Sequence, residues 1–421
     1  MSEELIFTAL GPSGAGKTTL LSCMHKKFEE ILPGSFYPAD SKTFSTLTKA
    51  YKKLESEADK TNLEFAVDLA GTSDLREYAF NLRGKGANIP VRFYDFPGGW
   101  MDPYDESQLE NHKKVIDIVQ RSQVIFAAIN TPYIMEFNGR YKDYAGITEI
   151  EHVIKMSLLN NDSNKLIILV PIKCERYTRT LEDTRKMNSR IKEVFAESIR
   201  LSKNPAYKER LAIVLMPVHT VGNAQFSRFN IQGSEIKQEV YIKNRALKFS
   251  PRDTDQPLRF AMNFLLNEFT RNNTFASIFH QEDLNAMREF ISDGMKLDSK
   301  EFEILCGKDL ITKPVDIQKS ALRESSGILP RILLYMLPFL LLIFTRGGAG
   351  FIMTCIFTGI ILFIYQLKKL ENATFNNVFG TAYLFACVIL FIVLCWEAVI
   401  FFLLAMILLT LDSLRIKKAG N

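Results

Sequence analysis

Residues 10–20 read LGPSGAGKTTL, and Gly11, four further residues, Gly16, Lys17 and Thr18 satisfy G-x-x-x-x-G-K-[ST] at every position. Each residue type has a chemical reason. Small residues let successive backbone N–H groups curl around phosphate oxygens, so Gly11, Ser13, Gly14, Ala15, Gly16 and Thr19 are expected to line a phosphate cradle. Lys17 would pair with the β- and γ-phosphates and act catalytically, and the Thr18 hydroxyl would reach Mg²⁺. A carboxylate is needed to organise that cation. VRFYDFPGGW (91–100) supplies Asp95 at the end of an apolar run, with Gly98 completing D-x-x-G. Asp95 would hold Mg²⁺ through a water, and the Gly98 N–H would meet a γ-phosphate whose loss relaxes the following loop.

Groups so far apart in sequence need a scaffold that brings them together. LIFTAL (5–10) reads as a strand before the loop, and TTLLSCMHKKFEEIL (18–32) as a helix after it, ending at Pro33-Gly34. That order sets phosphate charge at a helix N-terminus, where the dipole and unpaired N–H groups favour it. Further apolar strands are expected in SQVIFAAINTPY (122–133), NKLIILVPIKCERY (164–177) and RLAIVLMPVHTVGN (210–223). A helix-compatible segment lies around Thr148–Asn160, and DQPLRFAMNFLLNEF (255–269) closes the domain. The alternation predicts an α/β fold of the P-loop NTPase kind, a doubly wound, mainly parallel sheet with ligands at the carboxyl ends of its strands.

Composition narrows the class. The formal net charge of the 421 residues is +5, too small to indicate nucleic acid as a partner. Cys23, Cys174, Cys306, Cys355, Cys387 and Cys395 form no C-x-x-C pair, so they read as reduced packing residues. The five histidines lack metal-ligand spacing, which leaves nucleotide-bound Mg²⁺ as the expected metal. MSEELIFTAL has no basic segment before an apolar core and is not a secretory signal.

The composition changes near Ser326. ILPRILLYMLPFLLLIF (328–344), FIMTCIFTGIILFIYQL (351–367) and the apolar stretch from Val378 to Leu411 read as membrane segments. The RGGAG turn (346–350) closes a first hairpin, with Lys368 and Lys369 on its return side. The last stretch holds 34 residues and would span about 50 Å as one helix, against a hydrocarbon core of about 30 Å. Two short passes turning near Trp396 and Glu397 relieve that mismatch and return RIKK (415–418) to the side of Lys368 and Lys369. No Gly or Pro marks such a turn, so one long tilted helix stays open. The expected organisation is a nucleotide domain (1–270), a helical linker (271–326), three or four transmembrane passes (327–412) and a basic tail (413–421). This places a multi-pass protein in the lipid bilayer, with the nucleotide domain and both termini on the cytoplasmic side.

The motif order resembles the translation-factor-related GTPases and, more narrowly, the prokaryotic double-GTPase family. The resemblance is carried by GPSGAGKT, DFPGG, NTPYIME (130–136), VPIKCE (170–175) and PVHTVG (217–222), over roughly residues 3–270. It implies a GTP-Mg²⁺ switch tied to membrane or effector modules in cellular conflict systems, acting on an unidentified protein partner or as a homo-oligomer. It also implies that Lys173 lies along the base, that Glu175 stands where the family has the aspartate reading guanine, and that Thr220 and Val221 pass over the base. Ile172 stands where the family has asparagine. Thr72 is the implied switch threonine covering Mg²⁺ and assisting catalysis, with Thr43, Thr46 and Thr48 in an alternative loop; an N-cap role for Thr72 also fits. Gly99 replaces the glutamine that orients the attacking water in many GTPases, which implies slow hydrolysis.

Two other functions fit the same residues: an ATPase that energises transport or remodelling, and a membrane-disrupting effector gated by the nucleotide domain. Base preference and nucleotide-dependent membrane leakage separate them.

Overall fold

A computed structural model describes residues 4–312 apart from 32–33, 61, 69–73, 84–87, 160–162, 234 and 273–280. These residues belong to the first of two units, Met1–Ile317. The chain begins β1 (Leu5–Leu10), α1 (Lys17–Ile31), β2 (Phe36–Pro38), α2 (Ser41–Asp59) and β3 (Glu64–Asp68). It continues through β4 (Arg76–Arg83), β5 (Asn88–Asp95), α3 (Leu109–Arg121), β6 (Val124–Asn130), α4 (Thr131–Met135), α5 (Ile147–Leu158) and β7 (Lys165–Ile172). Then follow α6 (Leu181–Val194), α7 (Ala196–Leu201), β8 (Leu211–Leu215), β9 (Ala224–Gln232), β10 (Glu235–Lys243), α8 (Gln256–Asn272), α9 (Gln281–Asp293), β11 (Glu303–Cys306) and α10 (Lys308–Thr312).

The main sheet has the order β11-β8-β7-β6-β1-β5-β4-β2. Its five central strands, β8 to β5, pair in parallel, while β4, β2 and β11 add antiparallel edges. The parallel strands are apolar on both sides because helices cover both faces. Leu5, Phe7 and Ala9 of β1 join one core with Phe126, Ile168, Leu20 and Phe264. Ile6 and Leu10 join the opposite core with Ile125, Ile167, Val119 and Ile150. Each such fully buried aliphatic or aromatic side chain contributes about 1.5–3 kcal/mol. The expected doubly wound, mainly parallel sheet is present. β1 ends between β5 and β6, which is the crevice where open α/β sheets bind ligands.

Local signals explain individual helices. Asp40 caps α2 by accepting from Thr43 N at 2.6 Å, and Thr180 with Asp183 forms a reciprocal capping box at α6. Thr43, Thr46 and Thr48 therefore lie in α2 rather than in a loop. Thr43 Oγ1 accepts from Ala79 N at 3.0 Å, tying the helix to β4, so it serves packing.

Two features differ from the expectation. First, the segment read as a linker from 271 contributes to the domain itself over its described part. β11 pairs with β8, and Ile291, Phe302, Leu310 and Ile311 enter the core. Apolar residues at these positions have a sheet edge and a helix face to cover. Second, β3, β10 and β9 form a separate three-stranded antiparallel sheet. Its hairpin was not among the expected strands, because Phe226, Phe229 and Ile231 break the period-two alternation of β9; the turn lies at Gly233, which adopts φ +64°. Among the described residues no helix is long and apolar enough to cross a membrane. The expected spans at 327–412 and the tail at 413–421 lie outside the described residues.

Candidate functional site

The loop Gly11–Gly16 joins the end of β1 to the first turn of α1, whose leading N–H groups have no partner inside the helix. Gly16 has φ +105°, and a Cβ there would sit 2.7 Å from Ile172 Cδ1. Only glycine meets both demands. Ala15 is fully buried and its N–H donates to Pro12 O at 3.2 Å, closing the turn; Ser13 stands exposed at the rim. Thr19 is half-buried, with its carbonyl accepting from Ser22 Oγ at 2.8 Å.

Lys17 curls back over the loop, and Nζ donates to Gly11 O at 2.8 Å and to Pro12 O at 3.2 Å. Thr18 Oγ1 donates to Asp95 Oδ2 at 2.6 Å, and Lys17 Nζ lies 4.0 Å from Asp95 Oδ1. Residues 77 and 78 positions apart thus meet because β1 and β5 are neighbours, with Ala9 opposite Asp95. Burial drives the Lys17 pKa down, with Asp95 opposing the shift, and drives the Asp95 pKa up against Lys17, Thr18 and Arg76. Each group is short of counter-charge. Asp95 Oδ1 is buried with no hydrogen-bond partner among the described residues. An orphaned carboxylate oxygen beside a threonine hydroxyl suits a hard divalent cation such as Mg²⁺, which takes one or two protein oxygens and otherwise water and phosphate.

Beyond Asp95 the chain makes a short 3₁₀ turn, Gly98–Met101. Gly98 lies flat on the phosphate loop: a Cβ on it would fall 2.1 Å from Ser13 N and 2.5 Å from Pro12 C. Gly99 faces open space, with nothing among the described residues within 4 Å of its would-be Cβ. Trp100 packs on the core, and its carbonyl is 3.1 Å from His112 Nδ1 on α3. That ring nitrogen carries the proton, since a carbonyl can only accept.

On the other side of the loop, β7 delivers Lys173, Cys174 and Glu175. Lys173 has φ +56°, a left-handed conformation costing roughly 1–3 kcal/mol in a residue with a Cβ. Its Nζ donates to Gly14 O at 2.8 Å and to Glu239 Oε2 at 2.6 Å. Glu175 is buried, and its Oε1 accepts weakly from Val221 N and Gly222 N, both at 3.4 Å. Burial raises its pKa against those donors and Lys173. Thr220 is buried and its carbonyl accepts from Cys23 Sγ of α1 at 3.5 Å, which seats the PVHTVG loop beside the phosphate loop.

The sequence matches no protein-family model and no curated protein. The solved structures it is similar to include the following three. Methanosarcina barkeri Roco2 RocCORdC bound to GDP is 14% identical over 52% of this chain and 43% of that one, with a TM-score of 0.24. The S. cerevisiae Ski7 GTPase-like domain bound to GDP and inorganic phosphate is 16% identical over 52% of this chain and 43% of that one, with a TM-score of 0.29. The signal recognition particle receptor SRb-GTP/SRX complex from Chaetomium thermophilum is 12% identical over 53% of this chain and 93% of that one, with a TM-score of 0.31. The chain thus spans less than half the length of the first two. At these scores the site reading rests on the geometry above.

The fold brings together Gly11, Ser13, Gly14, Ala15, Gly16, Lys17, Thr18, Thr19, Asp95 and Gly98, and sets Lys173, Glu175, Thr220 and Val221 beside them. Thr72 lies outside the described residues. Missing from the sequence reading was Glu239, buried on β10 and bonded to Lys173. Alternation alone sets Glu239 with the exposed Glu235 and Lys237, and register shifts along the β9–β10 pairing turn it inward, so the sequence carried no signal for it.

Proposed function

We propose that this protein is a membrane-anchored nucleotide switch that binds GTP-Mg²⁺ and hydrolyses it slowly to GDP. The observation that carries the reading is the Thr18–Asp95 hydrogen bond beside Lys17, with an orphaned Asp95 oxygen, at the carboxyl ends of β1 and β5. The backbone of Gly11–Thr19 would receive the phosphates, with Lys17 neutralising their charge. Thr18 and Asp95 would hold Mg²⁺, Asp95 through a water, and the cation would offset charge on the β- and γ-phosphate oxygens. The Gly98 N–H would meet the terminal phosphate. Gly99 offers no side chain to orient the attacking water, which supports slow turnover. Lys173 and Glu175, with Thr220 and Val221, form the base pocket in this reading, and Thr72 would cover the cation.

The guanine assignment is supported by a carboxylate at Glu175 facing the PVHTVG loop. The membrane anchor is supported by the apolar stretches between 327 and 412, and a role in a conflict system only by the resemblance of the motifs. Titration of the full-length protein with fluorescent GTP and ATP analogues in Mg²⁺ tests the reading, which requires GTP to bind at least about ten times more tightly, or about 1.4 kcal/mol. The reverse order would replace guanine by adenine and leave the phosphate site standing. Nucleotide-dependent leakage from liposomes holding the protein would favour a membrane-disrupting effector over an anchored switch.

A further inference from the structure

We propose that Glu239, on the β9–β10 hairpin, is a positioning residue of the nucleotide site, fixing Lys173 and through it the phosphate loop. The inference rests on the nucleotide reading above. Glu239 is fully buried and accepts from Lys173 Nζ at 2.6 Å, Tyr241 Oη at 2.6 Å and Asn130 Nδ2 at 2.5 Å. A buried carboxylate with fewer partners would be left without the solvation it loses on burial. Burial pushes its pKa up, but the Lys173 charge and the donations from Lys173, Tyr241 and Asn130 outweigh burial and hold it below the ordinary glutamate range. The carboxylate is therefore charged and saturated.

Lys173 is the other half of the device. Its ammonium spans from Glu239 to Gly14 O, so one side chain joins an inserted hairpin to the middle of the phosphate cradle. The left-handed backbone at Lys173 is strained, and these two bonds hold it in place. Ile172 has only methyl groups to offer the loop and packs under Gly16. Asn130, at the end of β6, braces Glu239 from the main sheet, so the ends of two neighbouring strands, β6 and β7, meet at one carboxylate of the smaller sheet. The hairpin also pairs with β3, Glu239 lying opposite Val67. The residue that orders the base-side lysine is thus in register with the segment preceding Thr72.

The experiment titrates full-length wild type, Glu239→Gln, Lys173→Met and the double variant with mant-GDP in Mg²⁺, alongside melting without nucleotide. Glu239→Gln should weaken binding roughly tenfold, the value of one charge-assisted bond. Lys173→Met should do the same, and the double variant should bind no more weakly than Lys173→Met alone, because Glu239 acts through that lysine. A purely structural Glu239 would lower melting in both backgrounds and weaken binding additively. Glu239→Asp keeps the charge but falls one methylene short, and should show the same coupling if Glu239→Gln does not fold. Binding by Glu239→Gln within twofold of wild type, or additive losses, overturns the proposal. Failure of wild type itself to bind mant-GDP or mant-GTP would instead bring down the nucleotide reading, and this proposal with it.

Discussion

Thr18 donates its hydroxyl hydrogen bond to Asp95 Oδ2 at 2.6 Å, across 77 residues of chain, and leaves Asp95 Oδ1 buried with no hydrogen-bond partner among the described residues. Replacing the carboxylate by an amide at Asp95→Asn removes charge with little change of shape. Its affinity for nucleotide in Mg²⁺ should fall to the level that wild type shows in EDTA, and Thr18→Ala should lose a smaller part of the Mg²⁺ dependence. Titration with and without the cation checks both; an Asp95→Asn protein that still responds fully to Mg²⁺ would place the ion elsewhere.

Lys17 donates to the carbonyls of Gly11 and Pro12 and so lies curled over the loop. Lys17→Ala should reduce phosphate release by about a hundredfold or more, since phosphoryl transfer depends on positioned charge. Membrane association should be unchanged, since apolar stretches insert on hydrophobicity alone. Hydrolysis at the wild-type rate would reduce residues 10–20 to a surface turn.

Gly98→Ala should uncouple binding from switching. Its methyl would meet the backbone of Ser13 and Pro12, which cannot rotate away as a side chain can. The 3₁₀ turn must lift off the phosphate loop, carrying the Trp100 carbonyl from His112. We expect nucleotide affinity within about threefold of wild type, an order-of-magnitude allowance for a contact outside the cradle, together with loss of the nucleotide-dependent change in Trp100 fluorescence. A normal fluorescence change would show that the close approach is dispensable.

His219 sets a pH limit. Its Nε2 lies 2.7 Å from Thr178 Oγ1 and 3.3 Å from Arg252 Nη2, and because arginine only donates, that nitrogen accepts and the ring is neutral. Burial first, then Arg252, push its pKa down to about 4. Unfolded, the imidazole titrates near 6.5 and binds more protons, so this contribution is intact above about 6.5 and is lost at roughly 1.4 kcal/mol per pH unit down to about 4. Wild type should lose melting temperature over that window more steeply than His219→Gln, whose amide oxygen can accept without charging. Parallel curves would remove His219 as the cause.

The meeting of the Gly11–Thr18 loop with Asp95 could be expected because both patterns are local: eight consecutive residues, and one strand ending in D-x-x-G. The parallel core was readable for a related reason, since strands buried on both faces become uninterrupted apolar runs. Glu239 was not. Its partners Asn130 and Lys173 lie 109 and 66 residues away, and nothing in a strand's alternation says which charge it will meet. β11 was missed because EILC is four residues long and becomes a strand only by pairing with β8. Thr43 misled for the opposite reason: a hydroxyl expected at a cation is equally at home in the first turn of a helix.

Asn263 and Asn267 of α8 grip the carbonyl of Ile311 at 2.6 and 2.7 Å, and β11 just before it is sewn to the sheet edge. The last described residues are therefore clamped to α8 and to the sheet edge. A pull on Thr312 would load that clamp and then shear β11 along β8, so the strain would enter the main sheet at its edge, separated from β1 by three strands.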